Sequence, residues 1–278
     1  MNKVCYLGDY DLTGAAIYLA GIMSHFGIDY DHVPSTQSPA DDFQSKCYAL
    51  YVISDYPKSR FHDGDLEHIA QCVENGSGLL MLGGWESYHG KIGEYDQTIL
   101  AKVLPVNMLD RDDRRCSANG VFVTPRGEHE ITAGLPWCAP PSIVGYNEFT
   151  AKDSAQVLLE GTRFDIRFLG EEVEDTGKAS PCPISTGLPY VEQVTVALPH
   201  DAAMAFRPVE RLPMLVVGQY GKGRTAAMAT DVAPHWVGGL VDWGPNRLTE
   251  PVADDGIEVG DSYAILFSRL VKWTANMN

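Results

Sequence analysis

The chain has 278 residues, 45% hydrophobic and 21% charged, the balance of a folded globular protein with ample length for a large core. Its 37 acidic residues against 21 basic ones give a formal net charge of -16 with no basic face in view, which excludes a nucleic-acid backbone as partner. No apolar run reaches the roughly 18–20 residues of a membrane span, and MNKVCYLGDYD meets an acidic residue after a short apolar run. Neither a membrane segment nor a secretory leader is therefore expected, and the cytoplasm is the expected compartment.

In chain order, KVCYLG (3–8) reads as a short apolar strand ending in Gly8-Asp9. LTGAAIYLAGIMSHFG follows with Leu12, Ala15, Ala16, Leu19, Ile22, Met23 and Phe26 on one helical stripe and Gly27 as its stop. YALYVISD (48–55) is a second apolar strand, ending in Ser54-Asp55. DLEHIAQCVENG carries Leu66, Ile69, Ala70 and Val73 at helical spacing and closes at Gly76. GLLMLGG (78–84) is the next strand. This β-α-β-α-β order predicts an α/β fold with a mostly parallel sheet. Ligands of such sheets bind outside the carboxyl ends of the strands. Asp9, Asp55 and the turn Gly83–Ser87 should meet there.

From about residue 105 the text turns irregular and β-rich, and residues 105–210 are expected to form an excursion within a single domain of residues 1–278. Glu160 to Pro199 reads as irregular, as a β hairpin or a flap. PMLVVGQYGKGRTAAMATD (213–231) is a hairpin turning at Tyr220–Gly223. The last helix should start near Asp261 as its N-cap and bury Leu266, Phe267, Leu270, Val271 and Trp273. The six cysteines, Cys5, Cys47, Cys72, Cys116, Cys138 and Cys182, show no C-x-x-C pair. Cys5, Cys47 and Cys72 read as small buried hydrophobes. Neither a disulfide set, a zinc site nor any other metal or cofactor is expected.

YLGD after the start, YVISD, and GSGLLMLGGWESYHGKIGEYDQTILAKVLPV are followed by GYN (145–147), YGKGR (220–224), ATDVAPHW (229–236) and Trp243. Taken in this order, these pieces resemble the class I glutamine amidotransferase-like superfamily, in the branch of uncharacterised bacterial cytoplasmic proteins that lacks the cysteine nucleophile. The resemblance spans about residues 4 to 273. It implies a flavodoxin-like three-layer sandwich with a β-rich insertion. A working member of the superfamily resembles Gly-x-Cys-x-Gly at the turn after the strand, with a His and a Glu completing the triad. Here the turn reads Gly-Gly-Trp-Glu-Ser, and no His-Pro-Glu triplet occurs. Glutaminase chemistry is therefore not expected.

Asp231 and His235 form the best chemical pair, because Pro234 fixes the turn before His235 and the carboxylate could set the imidazole tautomer. The structural alternative has Asp231 capping a turn while His235 and Trp236 plug the sheet rim. Glu86 is the acid or base on the turn, whereas Ser87 orients a ligand and has no elbow motif to make it a nucleophile. Asp9, Asp55, Gly84, Trp85, Ser87 and Trp236 are the expected ligand-binding residues, Trp85 as a flat wall. Arg111, Tyr146 and Asn147 are read as structural. The leading expectation is a protein that binds a small polar metabolite, of carbohydrate type, in this crevice. An acid/base enzyme using Glu86 or Asp231 with His235 is the alternative. A homo-oligomeric structural subunit with an idle crevice is the third.

Overall fold

The structure, a computed structural model, describes residues 2–169 and 203–277. Thirteen strands run in chain order: β1 Val4–Gly8, β2 Tyr30–Val33, β3 Leu50–Ser54, β4 Gly78–Met81, β5 Val106–Met108, β6 Arg114–Pro125 and β7 Ser142–Asn147. They continue as β8 Phe149–Ala151, β9 Gln156–Leu169, β10 Ala203–Tyr220, β11 Gly223–Met228, β12 Arg247–Val252 and β13 Asp255–Gly260. The α-helices are α1 Ile17–His25, α2 Asp65–Glu74, α3 Leu100–Val103, α4 Pro234–Val237 and α5 Asp261–Thr274.

Nine strands form one sheet in the order β2-β1-β3-β4-β11-β10-β9-β6-β7. Every residue of β1, β3 and β4 is buried. Such continuous apolar runs are what a strand covered on both faces requires. β1 pairs in parallel with β2 and β3, and β4 pairs in parallel with β3 and β11. Beyond β11 every pairing along the sheet is antiparallel. The expectation of a mostly parallel sheet is thus corrected, since four of its eight pairings are antiparallel. The molecule is a mixed α/β fold in which β6, β7, β9 and β10 prolong the central sheet itself. β2 escapes the sequence pattern, because YDHV at the sheet edge is only half-buried and lacks an apolar run.

Glu160 to Leu169, read as irregular, belongs to β9 and pairs with β10 as a long antiparallel hairpin. The hairpin alternative therefore describes this part, and residues 170–199 lie outside the described residues. The turn at Tyr220–Gly223 joins β10 to β11 as expected.

The chain leaves β1 toward β2 and leaves β3 toward β4, so the sheet order reverses between β1 and β3. Right-handed crossovers in opposite directions put α1 and α2 on opposite faces. α1 packs against α5 and the β12–β13 hairpin, whereas α2 packs against α3. α5 buries Leu266, Phe267, Leu270 and Val271 as its pattern predicts, each contributing about 1.5–3 kcal/mol, and it buries Tyr263 in addition. Trp273 remains half-buried under the Arg224 guanidinium. Asp261 is the first helical residue, with Gly260 as the cap, and its carboxylate instead accepts a 2.7 Å hydrogen bond from Asn246.

Cys5 is buried as expected, but Cys47 and Cys72 are joined by a disulfide, with Cα atoms 6.1 Å apart. Cys47 is exposed, so its reading as a buried hydrophobe is corrected. Twenty-five residues separate the pair, and only the pairing of β3 with β4 across α2 folds that distance back.

Candidate active site

Four strands deliver polar groups to one edge. Asp9 follows β1, Asp55 follows β3, Gly83–Ser87 follows β4, and Asp231 lies just beyond β11. The β1/β3 reversal therefore lies between Asp9 and Asp55, where an open α/β sheet forms its crevice. Asp9, Tyr10 and Asp55 hold left-handed backbones, with φ of 53°, 66° and 44°. A non-glycine residue in that region carries strain of order 1–3 kcal/mol, and such strain concentrates at ligand sites. The Asp9 amide donates to Ser54 O at 2.9 Å, tying the two strand ends together.

Gly84 is required by Asp55. Its φ is 153°, and a Cβ there would stand 2.0 Å from Asp55 Oδ1. The same oxygen accepts the Glu86 amide at 2.8 Å, while the Asp55 amide donates to Ser87 Oγ at 3.0 Å. Ser87 is fully buried, so it positions Asp55 and does not face a ligand. The turn is held from behind by two residues that the sequence does not mark for that role. Asn147 Oδ1 accepts the Gly84 amide at 2.8 Å, and its Nδ2 donates to Gly84 O at 3.1 Å and to Asp113 Oδ1 at 2.7 Å. Buried Asp113 also accepts the His89 and Gly90 amides at 3.0 and 3.1 Å. Arg111, by contrast, is a surface residue 3.6 Å from Asp110.

A cavity of about 520 Å³ opens over these groups, lined among others by Asp9, Tyr10, Ser35, Asp55, Arg60, Trp85, Glu86 and Ile92. Trp85 is 48% exposed, and the Arg114 guanidinium lies 4.7 Å from its ring centroid. Of the four exposed large hydrophobics among the described residues, Tyr10, Trp85 and Ile92 line this cavity. The cavity mouth therefore leaves apolar side chains in water.

The carboxyls beneath are electrostatically unusual. Asp9 Oδ2 accepts the Tyr6 hydroxyl, whereas Asp9 Oδ1, Ser54 Oγ and Asp231 Oδ2 are buried with no hydrogen-bond partner. Burial, with the Asp55 charge added, pushes Asp9 up to about 8. Burial raises Asp55 to about 6, the Glu86 charge adding to it while backbone amides and Arg114 oppose it. Burial also raises Glu86, against the pull of Arg60. Burial thus raises all three carboxyls of the crevice, and the mutual repulsion of Asp9 and Asp55 favours a proton held by the pair.

Asp231 and His235 occupy the flank of this site. Asp231 Oδ1 caps its own turn, accepting the Val232 and Ala233 amides at 2.5 and 3.2 Å. Its other oxygen is 3.9 Å from His235 Nδ1. Burial and the charges of Asp9 and Asp55 hold the Asp231 carboxyl well above its ordinary value. His235 is 58% exposed and, like Asp231, is absent from the cavity lining that contains Glu86. Trp236 is buried, its ring filling the space a Gly145 side chain would take. The structure therefore brings together Asp9, Asp55, Gly84, Trp85 and Glu86, supported by Ser87. It leaves His235 and Trp236 beside the cavity, in the capping and plugging arrangement that was the structural alternative. Among the described residues, no three of Asp9, Asp55, Glu86 and His235 bring their ligand atoms within 4.8 Å of one another.

A family described as "Putative glutamine amidotransferase" matches residues 13–163 and 182–249 of the chain. Cytoplasmic protein STM3548 from Salmonella typhimurium is similar at a TM-score of 0.66 and 23% identity, covering 98% of both chains, which shows a shared fold. Cytoplasmic protein STM1381 from Salmonella typhimurium LT2 gives a TM-score of 0.59 at 27% identity, over 84% of this chain and 90% of that one. No curated protein matches the chain. No helix among the described residues is long and apolar enough to cross a membrane.

Proposed function

The chain belongs to the "Putative glutamine amidotransferase" family, and from that premise we propose that it binds a small polyhydroxylated metabolite, carbohydrate-like in chemistry, at the carboxyl ends of β1, β3 and β4. The observation that carries this reading is the half-exposed Trp85 standing over a cavity floored by Asp9, Asp55 and Glu86. A flat aromatic face takes the C–H side of a sugar ring, and carboxyls take its hydroxyls. The glutaminase reaction of the wider superfamily has no support here, since the turn that would carry the thiol presents Trp85. A flavodoxin-like description fits the parallel half, β2-β1-β3-β4-β11, and the cytoplasm remains the proposed compartment.

A thermal-shift screen with sugars and polyols tests the proposal directly. A ligand at 100 times its Kd raises stability by roughly 2.7 kcal/mol. Trp85→Ala should keep the melting temperature of the free protein, because the ring is half in water, and weaken binding by about tenfold or more. A panel in which no member shifts the wild type, or a Trp85→Ala variant that binds as well, would remove the reading.

Three carboxyls raised by burial, Asp9, Asp55 and Glu86, line one cavity, and this favours a second reading, an acid/base reaction on the same ligand. In it the Asp9–Asp55 pair with Glu86 does the proton work, and His235 stays a flanking residue. His235→Ala should then change binding or turnover by no more than about twofold, since His235 is largely exposed and outside the cavity lining. A loss of turnover beyond a hundredfold would restore His235 to the chemistry.

A further inference from the structure

We propose that, once the Cys47–Cys72 disulfide is reduced, Cys47, His68 and Cys72 form a binding site for a divalent metal ion of zinc type. The site lies at the amino edge of the sheet, away from the carboxylate crevice, since Cys47 precedes β3. His68 and Cys72 stand four residues apart on α2, and this spacing puts both side chains on one helix face. Cys47 reaches them from the loop, and the three potential ligand atoms all lie within 4.8 Å of one another.

The His68–Cys72 distance suits one shared ion, and the two sulfurs, bonded to each other in the disulfide, would part on reduction to the roughly 3.8 Å that two thiolates on tetrahedral zinc require. His68 Nε2 is 3.5 Å from Cys72 Sγ. Around tetrahedral zinc, with Zn–S near 2.3 Å and Zn–N near 2.0–2.1 Å, a nitrogen and a sulfur ligand stand about 3.5 Å apart. A cavity of about 370 Å³, lined by Cys47, Cys72, Asn75 and Ser77, adjoins the sulfurs and leaves space for water as a fourth ligand. Cys47 is exposed, which gives the ion its way in. His68 Nε2 lies 2.7 Å from Lys46 O, a contact that metal binding would exchange for the ion, moving the ring proton to Nδ1.

The disulfide and the metal exclude each other, so the site is gated by oxidation. A dithiol reductant opens the bond by exchange and becomes a disulfide itself, while Cys47 and Cys72 each gain one electron and one proton. The ion then displaces both thiol protons to solvent. A small-molecule disulfide reverses this: it takes the two electrons from the cysteine thiolates, leaves as two thiols, and the ion is released. In the cytoplasm proposed above, thiols are kept reduced, so the metal-binding form would prevail there.

The full chain, reduced with a phosphine, is titrated with cobalt(II), and zinc is then used to displace it. A thiolate-to-cobalt charge-transfer band saturating at one ion per chain is expected, and the oxidised chain should give none. His68→Ala and Cys47→Ser should each weaken binding by about tenfold or more. Since Cys47 is exposed, Cys47→Ser should fold normally, and the oxidised wild type provides a control without any substitution. Reduced wild type without the band overturns the proposal. So does an undiminished band in the Cys47→Ser/Cys72→Ser double variant, which would put the ion on other cysteines.

Discussion

Asp9→Asn is expected to stabilise the free protein at pH 8.5 and, in the same variant, to weaken ligand binding by about tenfold or more. The Asp9 carboxyl is buried, one oxygen lacks a partner, and the Asp55 charge faces it. Its folded value, up to about 8, lies well above the ordinary 3.8. The folded state therefore holds a proton that the unfolded chain has lost between about pH 4 and pH 8, and stability falls as pH rises through that window. A tenfold difference in proton affinity between the folded and unfolded chain corresponds to about 1.4 kcal/mol, so the whole effect is on the order of several kcal/mol. Asn keeps an acceptor for the Tyr6 hydroxyl, and its uncharged amide replaces the carboxyl whose other oxygen is buried without a hydrogen-bond partner. The measurement is a melting temperature against pH. Wild type should decline from pH 5 to pH 8.5, and Asp9→Asn should decline less steeply, because the buried Asp55 and Asp231 carboxyls are also raised and keep part of the slope. A flat wild-type profile would refute the buried-carboxyl account. The combination matters because a loss of binding together with a gain in stability would assign the cost of this buried carboxyl to the bound state.

The part of this site made by strand ends is legible in the sequence. An apolar run followed by a polar residue identifies both the strand and the end that carries the ligand edge, so Asp9, Asp55 and Glu86 can be placed from the residue pattern alone. What depends on packing is not legible. The same pattern joins Glu86 to His235, yet α4 turns His235 toward solvent and buries Trp236 against Gly145. Asp113 sits in LDRDDR, where four neighbouring charges disguise the one that is buried. The antiparallel half of the sheet is hidden for a related reason. The half-buried alternation of β6 does not form a continuous apolar run, and polar stretches of that kind read as loop. Cys47 and Cys72 are invisible as a pair because nothing local marks them. Their meeting is a product of topology.

Asn147→Ala is the substitution expected to cost the fold most per atom removed. The Asn147 amide is buried and makes three hydrogen bonds, two to the Gly84 peptide and one to Asp113. Its orientation follows from its partners: a peptide N–H needs the oxygen, and a carboxylate needs the nitrogen. Alanine would leave the Gly84 N–H and C=O unpaired in a dry interior and take a donor from a buried carboxyl, at a cost of about 3–5 kcal/mol. For a chain of 278 residues that lowers the melting temperature by roughly 5–9 °C. Asn147→Asp separates the polar clamp from simple packing. Aspartate matches the shape and can still accept the Gly84 amide, but it faces Asp113 with a second carboxyl and donates nothing to Gly84 O. It should be at least as harmful as alanine at pH 8 and recover toward wild type near pH 5, as one of the two carboxyls takes a proton. If instead Asn147→Asp is as stable as wild type at pH 8, the side chain is only filling space. The Gly84 turn, and with it the seat of Asp55 and Trp85, must then be held by something other than this amide.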